Sequence, residues 1–292
     1  MRTRGIGNPS VGMINVSAIG LGEMPMSLHG RPPQEQAVRT IHAALDAGIT
    51  IIDTADSYSA NSDDVGHGER LVAKALGAYP GSTAAVLVAT KGGHTRLPDG
   101  SWGLDGSPDH LRRACDASLT ALGVDAIGLY QFHRPDPTVP YADSLGTVRE
   151  LYEAGKVRLA GISNASVAQI QQAQQILGPA LVSVQNQFSP SFRSSEKELY
   201  YCAEQGLAFL PWSPLGGMGN ATALGTRFAA FADVARAHGV SPQQVCLAWM
   251  LAKAPVVIPI PGSSRPATIT DSALAADLAL TPGDIARLDA AG

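Results

Sequence analysis

The feature that most constrains the fold is a unit that recurs along the chain: a short apolar run, a loop and an amphipathic stretch. Apolar runs bounded by turn residues predict strands at 17–21, 49–53, 86–90, 126–132, 157–161, 181–185, 207–211 and 256–260. Apolar residues at helical spacing predict helices at 34–47, 66–77, 108–122, 141–154, 166–177, 194–205 and 227–252. Strands that alternate with helices pair in parallel, and nearly continuous apolar runs are typical of parallel strands buried on both faces.

Eight such units predict an α/β protein and, within that class, a (β/α)8 TIM barrel, which typically needs about 250 residues. No linker or low-complexity segment interrupts the chain, so residues 1–292 are predicted to form one domain. Residues 1–16 alternate weakly around a Gly-Asn-Pro turn at 7–9, which predicts a short N-terminal hairpin closing the barrel bottom. The competing open, doubly wound sheet should carry G-x-G-x-x-G after an early strand, and Gly20 and Gly22 lack the third glycine of that motif.

Charge and cysteine content exclude several classes of protein. The formal net charge is −4 and no run of Lys or Arg forms a basic patch, which argues against nucleic acid because phosphate binding needs clustered cations. The three cysteines lie far apart, so they predict neither a disulfide framework nor a zinc ribbon. No apolar run approaches membrane-spanning length, and no apolar signal segment is evident near the N-terminus. We therefore expect a cytoplasmic protein whose partner is a small molecule.

Four polar residues follow three neighbouring predicted strands, at the carboxyl ends where barrel enzymes place their catalytic groups. Asp53 ends the second predicted strand, and Tyr58 lies in the loop after it. Lys91 follows the third strand and His133 follows the fourth. Each residue alone has a structural interpretation: a helix cap, a rim aromatic, a solvated cation or a hydrogen-bonded imidazole. Together they predict a functional site, because charges are costly at buried strand ends unless they are paired.

These side-chain types suit proton transfer to a carbonyl oxygen. A tyrosine titrates near ~10, and a neighbouring ammonium is expected to lower the pKa of Tyr58 while the Asp53 carboxylate holds Lys91 in place. The His133 imidazole can orient a carbonyl oxygen and stabilise charge that develops on it. The chain has no G-x-S-x-G nucleophile elbow and no H-E-x-x-H motif. Three histidines, His29, His67 and His94, lack metal-ligand spacing, so no metal site is predicted.

The chain resembles the aldo-keto reductase family over nearly its whole length. The motifs that carry the resemblance occur in the family's order: GITIIDTADSY around Asp53 and Tyr58, GERL at 68–71, ATKGG around Lys91, LYQFHRP around His133, GISN at 161–164, VQNQF at 184–188, WSPLG at 212–216 and IPGS at 260–263. The resemblance implies a catalytic tetrad of Asp53, Tyr58, Lys91 and His133. In it, Tyr58 is the general acid for reduction of an aldehyde or ketone and the general base for the reverse oxidation.

The resemblance also implies how NADPH binds, with NADH as a less favoured alternative. Nicotinamide contacts are expected from Ser163, Asn164 and Gln185, with Trp212 stacked on the ring. The loop at 213–217 is expected to contact the pyrophosphate and the C-terminal segment the adenosine 2′-phosphate, since Arg offers a charged fork that suits phosphate. The implied cofactor-binding residues are Ser163, Asn164, Gln185, Trp212, Ser213, Pro214, Leu215, Gly217, Ser263, Arg265 and Asp271.

The sequence departs from the family pattern at several positions. Asp271 and Ser272 stand where the family commonly has a Glu-Asn pair that contacts adenine, which puts the NADPH preference in doubt. Arg134 follows His133 where an aromatic residue is frequent; it could favour polar or anionic substrates or pair with Asp136 or Asp56. Sugars, aromatic aldehydes, pyridoxal-like carbonyls and steroid-like ketones all remain open as substrates.

Two other functions compete with the reductase interpretation. A cofactor-binding regulatory protein on the same barrel, as in the potassium-channel β subunits that resemble this family, could keep NADPH and turn over poorly. A barrel lyase or isomerase could instead use Lys91 as a Schiff base. Outside the strands and helices, the Gly-rich stretch 92–106 is predicted to be a long loop, and 216–226 is a candidate lid over bound cofactor.

Overall fold

The computed structural model describes residues 1–291. The strands are short, as expected for segments that end at turn residues, and most coincide with a predicted apolar run. Their bounds are β1 Thr3–Asn8, β2 Gly12–Ser17, β3 Leu21–Gly22, β4 Ile51–Asp53, β5 Leu87–Gly92, β6 His94–Arg96, β7 Trp102–Leu104, β8 Ile127–Phe132, β9 Val157–Ser163, β10 Leu181–Gln185 and β11 Ala208–Phe209.

Helices separate the parallel strands. Their bounds are α1 Gln34–Asp46, α2 His67–Gly77, α3 Pro108–Leu122, α4 Tyr141–Glu153, α5 Val167–Leu177, α6 Glu196–Gln205, α7 Leu224–Arg227, α8 Ala229–His238, α9 Pro242–Lys253, α10 Pro266–Leu274 and α11 Pro282–Asp289. Serine caps begin α3, α5 and α9, where the hydroxyl of Ser107, Ser166 or Ser241 accepts a backbone N–H of the first turn. The chain therefore begins these helices with local side-chain signals.

Seven strands form one parallel sheet in the order β11-β10-β9-β8-β5-β4-β3. The segment 256–262 closes this sheet into a barrel, because it bridges β11 through Val257 and β3 through Gly262. Backbone N–H groups on the β3 side donate to the carbonyls of Pro259 and Pro261, each at 2.9 Å. The eighth strand is irregular, since a proline has no N–H to give to a ladder. The prediction of a (β/α)8 barrel is confirmed.

Two predicted segments differ from the structure. The helix predicted over 227–252 is interrupted at Gly239, which adopts a left-handed conformation (φ 67°) and ends α8 before Ser241 caps α9. The stretch 92–106, predicted to be a loop, instead forms an antiparallel hairpin of β6 and β7. A Pro-Asp-Gly sequence at 98–100 turns this hairpin, which is a local turn signal that the prediction overlooked.

The N-terminal hairpin closes one end of the barrel, as predicted. β1 pairs with β2, and Ile6 and Val16 are fully buried against the apolar side chains that fill the barrel interior, among them Ile51, Leu129 and Ile258. Side chains alternate between the two faces of a strand. The next inward position on each strand, two residues later in the sequence, is therefore polar or aromatic. These positions are Asp53 after Ile51, Lys91 after Ala89, Gln131 after Leu129 and Trp212 after Leu210.

Candidate active site

The buried ammonium of Lys91 lies at the centre of the polar layer. Its Nζ donates to Asp53 Oδ2 at 2.6 Å, to the backbone carbonyl of Thr54 at 2.8 Å and to the Tyr58 hydroxyl at 3.1 Å. The Lys91 side chain is fully buried, and Asp53 and Tyr58 are also buried. Since an ammonium has three N–H donors, all of them are used. A free amine that could attack a carbonyl is therefore missing at this position, which argues against the Schiff-base alternative.

The second oxygen of Asp53 is held by two glutamine amides. Asp53 Oδ1 accepts from Gln185 Nε2 at 2.7 Å and from Gln131 Nε2 at 3.2 Å. Gln131 is absent from the predicted site, although a polar residue at an inward position of an otherwise apolar strand is a signal that could have found it. These bonds fix the carboxylate that in turn holds Lys91, so the two glutamines determine where the ammonium points.

Burial and neighbouring charges set the protonation states of this group. Burial alone would lower the pKa of Lys91, but the Asp53 carboxylate and the Tyr58 oxygen outweigh it, and the pKa is raised. Burial raises the pKa of Tyr58, and the Lys91 ammonium lowers it as expected, but burial together with the carboxylates of Asp53 and Glu23 outweighs Lys91 and the pKa is raised overall. At neutral pH the site therefore holds a protonated phenol beside a charged ammonium.

His133 lies beside the phenol as a neutral imidazole. Its ring centroid is 5.8 Å from that of Tyr58, with the rings nearly perpendicular. Burial, with the nearby charge of Lys91, lowers the pKa of His133 well below its usual range. The buried Nδ1 of His133 has no hydrogen-bond partner among the described residues. A neutral imidazole can orient a carbonyl oxygen with one N–H, so the geometry suits the role predicted for it.

A second buried carboxyl, Glu23, lies behind the Lys91 group. Its two oxygens accept the hydroxyls of Ser27 and of Thr54, the latter at 3.0 Å, and the Ser27 hydroxyl also lies 2.8 Å from His67 Nδ1. Burial raises the pKa of Glu23 to about 7. Glu23 therefore changes charge near neutral pH. It accepts the hydroxyl of Thr54, whose backbone carbonyl accepts from Lys91. Sequence reasoning did not identify Glu23.

The polar layer opens into a cavity of about 680 Å³, a volume within the usual range for small-molecule sites. Of the predicted catalytic residues, Asp53, Tyr58 and His133 line it directly, and Lys91 lies behind them. The predicted cofactor residues that line it are Ser163, Asn164, Gln185, Trp212, Ser213, Pro214, Leu215, Gly217, Ser263 and Arg265. Asp271 does not: its carboxylate accepts from Ser241 and Gln244 at the start of α9, at 2.7 and 2.6 Å.

A hydrogen-bonded chain organises the wall next to His133. Ser163 Oγ donates to the carbonyl of Gln185 at 2.7 Å, and Asn164 Nδ2 donates to the carbonyl of His133 at 3.0 Å. Asn164 Oδ1 accepts from Trp212 Nε1 at 3.2 Å, which fixes the half-buried indole. Two non-glycine residues within 1–291 have positive φ, Asn164 at 57° and Ser213 at 50°, and both line the cavity. Such strained backbone clusters at ligand sites.

Polar groups at the far side of the cavity suit an anionic, extended ligand. Arg265 is exposed, directly precedes α10 and forms no ion pair with any of residues 1–291. Gly217, with a φ of 92°, lines the cavity with Trp212 and Arg265, and Gly216 before it also has a positive φ of 90°. An aromatic face, a glycine-rich turn and a free guanidinium are the groups that a nicotinamide dinucleotide needs for its ring, pyrophosphate and outer phosphate. Thr268, which sequence reasoning missed, lines the same part.

The β6–β7 hairpin forms the other rim. Arg96 donates to the carbonyl of Ser59 at 2.9 Å, and its guanidinium lies 3.9 Å from the ring centroid of Trp102, which faces Tyr58 edge-on at 6.4 Å. His94 packs against His133 with ring centroids 4.3 Å apart. The hairpin therefore brings His94 and Trp102 to the mouth of the cavity, where a long loop was predicted.

The described residues carry no arrangement typical of a metal site or of a membrane span. No group of three or more His, Cys, Asp or Glu side chains within residues 1–291 is arranged to hold a metal ion. Across the same part of the chain, no helix has both the length and the apolar character needed to cross a membrane. The three cysteines, Cys115, Cys202 and Cys246, are buried free thiols.

Comparison with known proteins relates this geometry to a family. The model of the aldo/keto reductase family matches residues 18–292. The chain is 35% identical over 290 residues to an uncharacterised oxidoreductase of Schizosaccharomyces pombe, covering 98% of this chain and 90% of the relative. It is 38% identical over 269 residues to the 6-dehydroglucose reductase of Novosphingobium aromaticivorans, covering 89% of this chain and 86% of that relative. An aldo-keto reductase of Klebsiella pneumoniae in complex with NADPH superposes with a TM-score of 0.79 at 25% identity, covering 99% of this chain and 95% of that one. This chain therefore belongs to the aldo/keto reductase family and is an oxidoreductase.

Proposed function

We propose that this protein catalyses the reversible, NADPH-dependent reduction of an aldehyde or ketone to the alcohol, with Tyr58 as the proton donor. The observation that carries the proposal is the contact of the Lys91 ammonium with both the Tyr58 hydroxyl and the Asp53 carboxylate at the mouth of one cavity. The reductases among the relatives, including the Klebsiella pneumoniae protein in complex with NADPH, support the same class of reaction.

The residues of the cavity wall are proposed to hold the cofactor. Ser163, Asn164 and Gln185 would contact the nicotinamide carboxamide, and Trp212 would stack on the ring. The loop with Ser213, Pro214, Leu215 and Gly217 would contact the pyrophosphate, and Ser263 and Arg265 the adenosine 2′-phosphate. Asp271 is proposed to act indirectly, because its carboxylate holds the start of α9 against α10. Binding in this manner would place the nicotinamide beside Tyr58.

The reaction needs a hydride and a proton, and the bound nicotinamide supplies the hydride to the carbonyl carbon. The carbonyl oxygen lies between the Tyr58 hydroxyl and the neutral His133 imidazole, which orients it. As negative charge develops on that oxygen, the Tyr58 O–H bond breaks and its proton forms the new alcohol O–H bond. The phenolate that is left is stabilised by Lys91 at 3.1 Å, and Asp53 keeps that ammonium in place. The reverse oxidation uses the same phenolate as a base.

The variant Tyr58→Phe tests the proposal. It removes the acidic proton while keeping the ring, so turnover with NADPH and a panel of aldehydes should fall by about 10²–10⁴, the usual contribution of a general acid. NADPH affinity, measured by fluorescence titration, should stay near that of the wild type. Tyr200→Phe is the matched control, since Tyr200 is exposed on α6 and does not line the cavity.

Two results would count against the proposal. Turnover of Tyr58→Phe close to the wild-type rate would remove Tyr58 from its role. A wild-type protein that binds NADPH but oxidises it with no carbonyl in the panel would instead be a cofactor-binding regulatory barrel.

A further inference from the structure

Arg134 is a cation at the cavity mouth without a counterion among the described residues. It follows β8 and His133, is half-buried, and lines the cavity. Among residues 1–291 no carboxylate lies within ion-pair distance of it. Asp136, its nearest acidic neighbour in sequence, accepts instead from the backbone of Gly106 and from Thr138. Removing a charge from water without a partner is costly, so a ligand anion would complete this site.

His94 holds the guanidinium in its position. Arg134 Nε donates to His94 Nε2 at 3.2 Å, and the opposite ring nitrogen, His94 Nδ1, lies 3.1 Å from the carbonyl of Gly103 on β7. Burial lowers the pKa of His94 to about 4, so the ring is neutral at pH 7 and can accept from Arg134. The hydrogen bond uses Nε only, which leaves the two terminal amino groups of the guanidinium free for a bidentate contact.

The electrostatic balance of the cavity favours an anion near Arg134. Among the described residues that line the cavity, Asp53 is the one carboxylate, and Lys91 compensates it at 2.6 Å. His133 and His94 are neutral, because burial lowers the pKa of each ring. The uncompensated charge at this rim is therefore positive, although the whole chain carries a formal net charge of −4.

The barrel topology separates Arg134 from the proposed cofactor phosphates. Going around the barrel from segment 256–262, which leads to Arg265, the order is β3, β4, β5 and then β8, which leads to Arg134. Four steps around eight strands is half a turn, so the two arginines follow strands on opposite sides. One guanidinium can bind the cofactor while the other is available to the second ligand.

We propose that Arg134, positioned by His94, binds a carboxylate carried by the carbonyl substrate, so that the enzyme prefers carboxylated aldehydes or ketones over neutral ones. This inference rests on the proposed reductase function. The substrate carbonyl would lie at Tyr58 and His133, and its carboxylate would lie across the His133–His94 ring pair. A ring or a short chain would therefore have to separate the two groups of the substrate.

The test compares two aldehydes that differ in charge and little in shape, 4-carboxybenzaldehyde and 4-formylbenzamide. The wild type should have the higher kcat/KM with the carboxylate. In Arg134→Gln the ratio of the two kcat/KM values should fall by about 10- to 100-fold, the range for loss of a charge-assisted hydrogen-bonded contact. Arg134→Lys should restore part of the ratio, since it keeps the charge without the fork.

The matched control is Arg158→Gln. Arg158 is exposed near the start of β9, on the barrel side away from the cavity mouth, and its loss changes the net charge by the same amount. The ratio should stay at the wild-type value in this variant. A fall equal to that of Arg134→Gln would mean that overall charge, rather than contact, sets the preference, and would overturn the inference.

The outcomes separate the inference from the proposed function. If the wild type reduces both aldehydes with equal kcat/KM, or if Arg134→Gln leaves the ratio unchanged, the inference fails and the reductase function stands. If neither aldehyde is reduced, calorimetric titration of 4-carboxybenzaldehyde into wild-type protein and Arg134→Gln decides the binding question alone. Weaker binding to the variant supports the carboxylate site, and equal binding overturns it.

Discussion

The buried pair of Lys91 and Asp53 makes a quantitative prediction about stability. Lys91→Met removes the ammonium but fills a similar volume, so the Asp53 carboxylate and the Thr54 carbonyl lose their donor in a fully buried position. Breaking a buried ion pair from one side costs about 3–5 kcal/mol. The amides of Gln131 and Gln185 still donate to the other Asp53 oxygen, which favours the lower part of that range.

A second variant separates the loss of unfolding free energy that comes from the uncompensated charge from the loss that comes from packing. Lys91→Met combined with Asp53→Asn removes both charges of the buried pair, and the carbonyl oxygen of the introduced amide can still accept from both glutamines. The double variant should therefore recover most of the loss and unfold within about 1–2 kcal/mol of the wild type. A pair that mattered only for packing would show no such recovery.

Thermal unfolding of the ligand-free protein, followed by far-UV circular dichroism at pH 7, measures the difference. With an unfolding entropy of about 2.1 cal/mol/K per residue over 292 residues, 3–5 kcal/mol corresponds to a Tm lower by about 5–8 °C for Lys91→Met. A single variant as stable as the wild type, or a double variant no better than the single one, would refute the reasoning.

Two further predictions concern the cofactor and a buried carboxyl. Arg265→Ala should raise the Kd for NADPH about tenfold or more and leave the Kd for NADH nearly unchanged, since only NADPH carries the 2′-phosphate; equal losses in fluorescence titrations would mean that Arg265 does not read it. Glu23 has a pKa raised from 4.5 to about 7, so the folded protein binds more protons than the unfolded one between these values, and its stability should fall by about 3 kcal/mol as the pH rises through this window. In Glu23→Gln, the free energy of unfolding from urea titrations should decrease less as the pH rises through this window. An unchanged pH dependence would show that Glu23 does not titrate there.

The sequence predicted those parts of the fold that depend on local pattern. The apolar runs and caps placed six helices and most strands within a few residues, because each element carries its own periodicity and end signals. The eighth strand was predicted as an apolar run, but its irregular pairing follows from Pro259 and Pro261 and from the closure of the barrel. The β6–β7 hairpin was missed because its residues are polar and Gly-rich, and the Pro-Asp-Gly turn at 98–100 was the only local sign of it.

The site was predictable where a residue sits at a strand end and not where contacts cross between strands. Asp53, Lys91 and His133 follow from their positions after apolar runs. The bond from Gln131 to Asp53 joins residues far apart in the chain, so only the register of the barrel reveals it. The pKa of Tyr58 depends on burial as well as on Lys91, and the extent of burial could not be read from sequence. The contact of Asp271 with the start of α9, rather than with the cavity, likewise depends on tertiary packing that could not be read from sequence.

The N-terminal hairpin has a consequence for how ligands enter and leave the cavity. With Ile6 and Val16 filling the floor of the barrel, the cavity opens at the other end, where Trp102, Met218 and Arg265 are among its lining residues. If the proposed cofactor and substrate both enter from that end, the molecule that lies deeper has to bind first and leave last. The hairpin at one end of the barrel would thereby set the order of binding at the end where the proposed chemistry takes place.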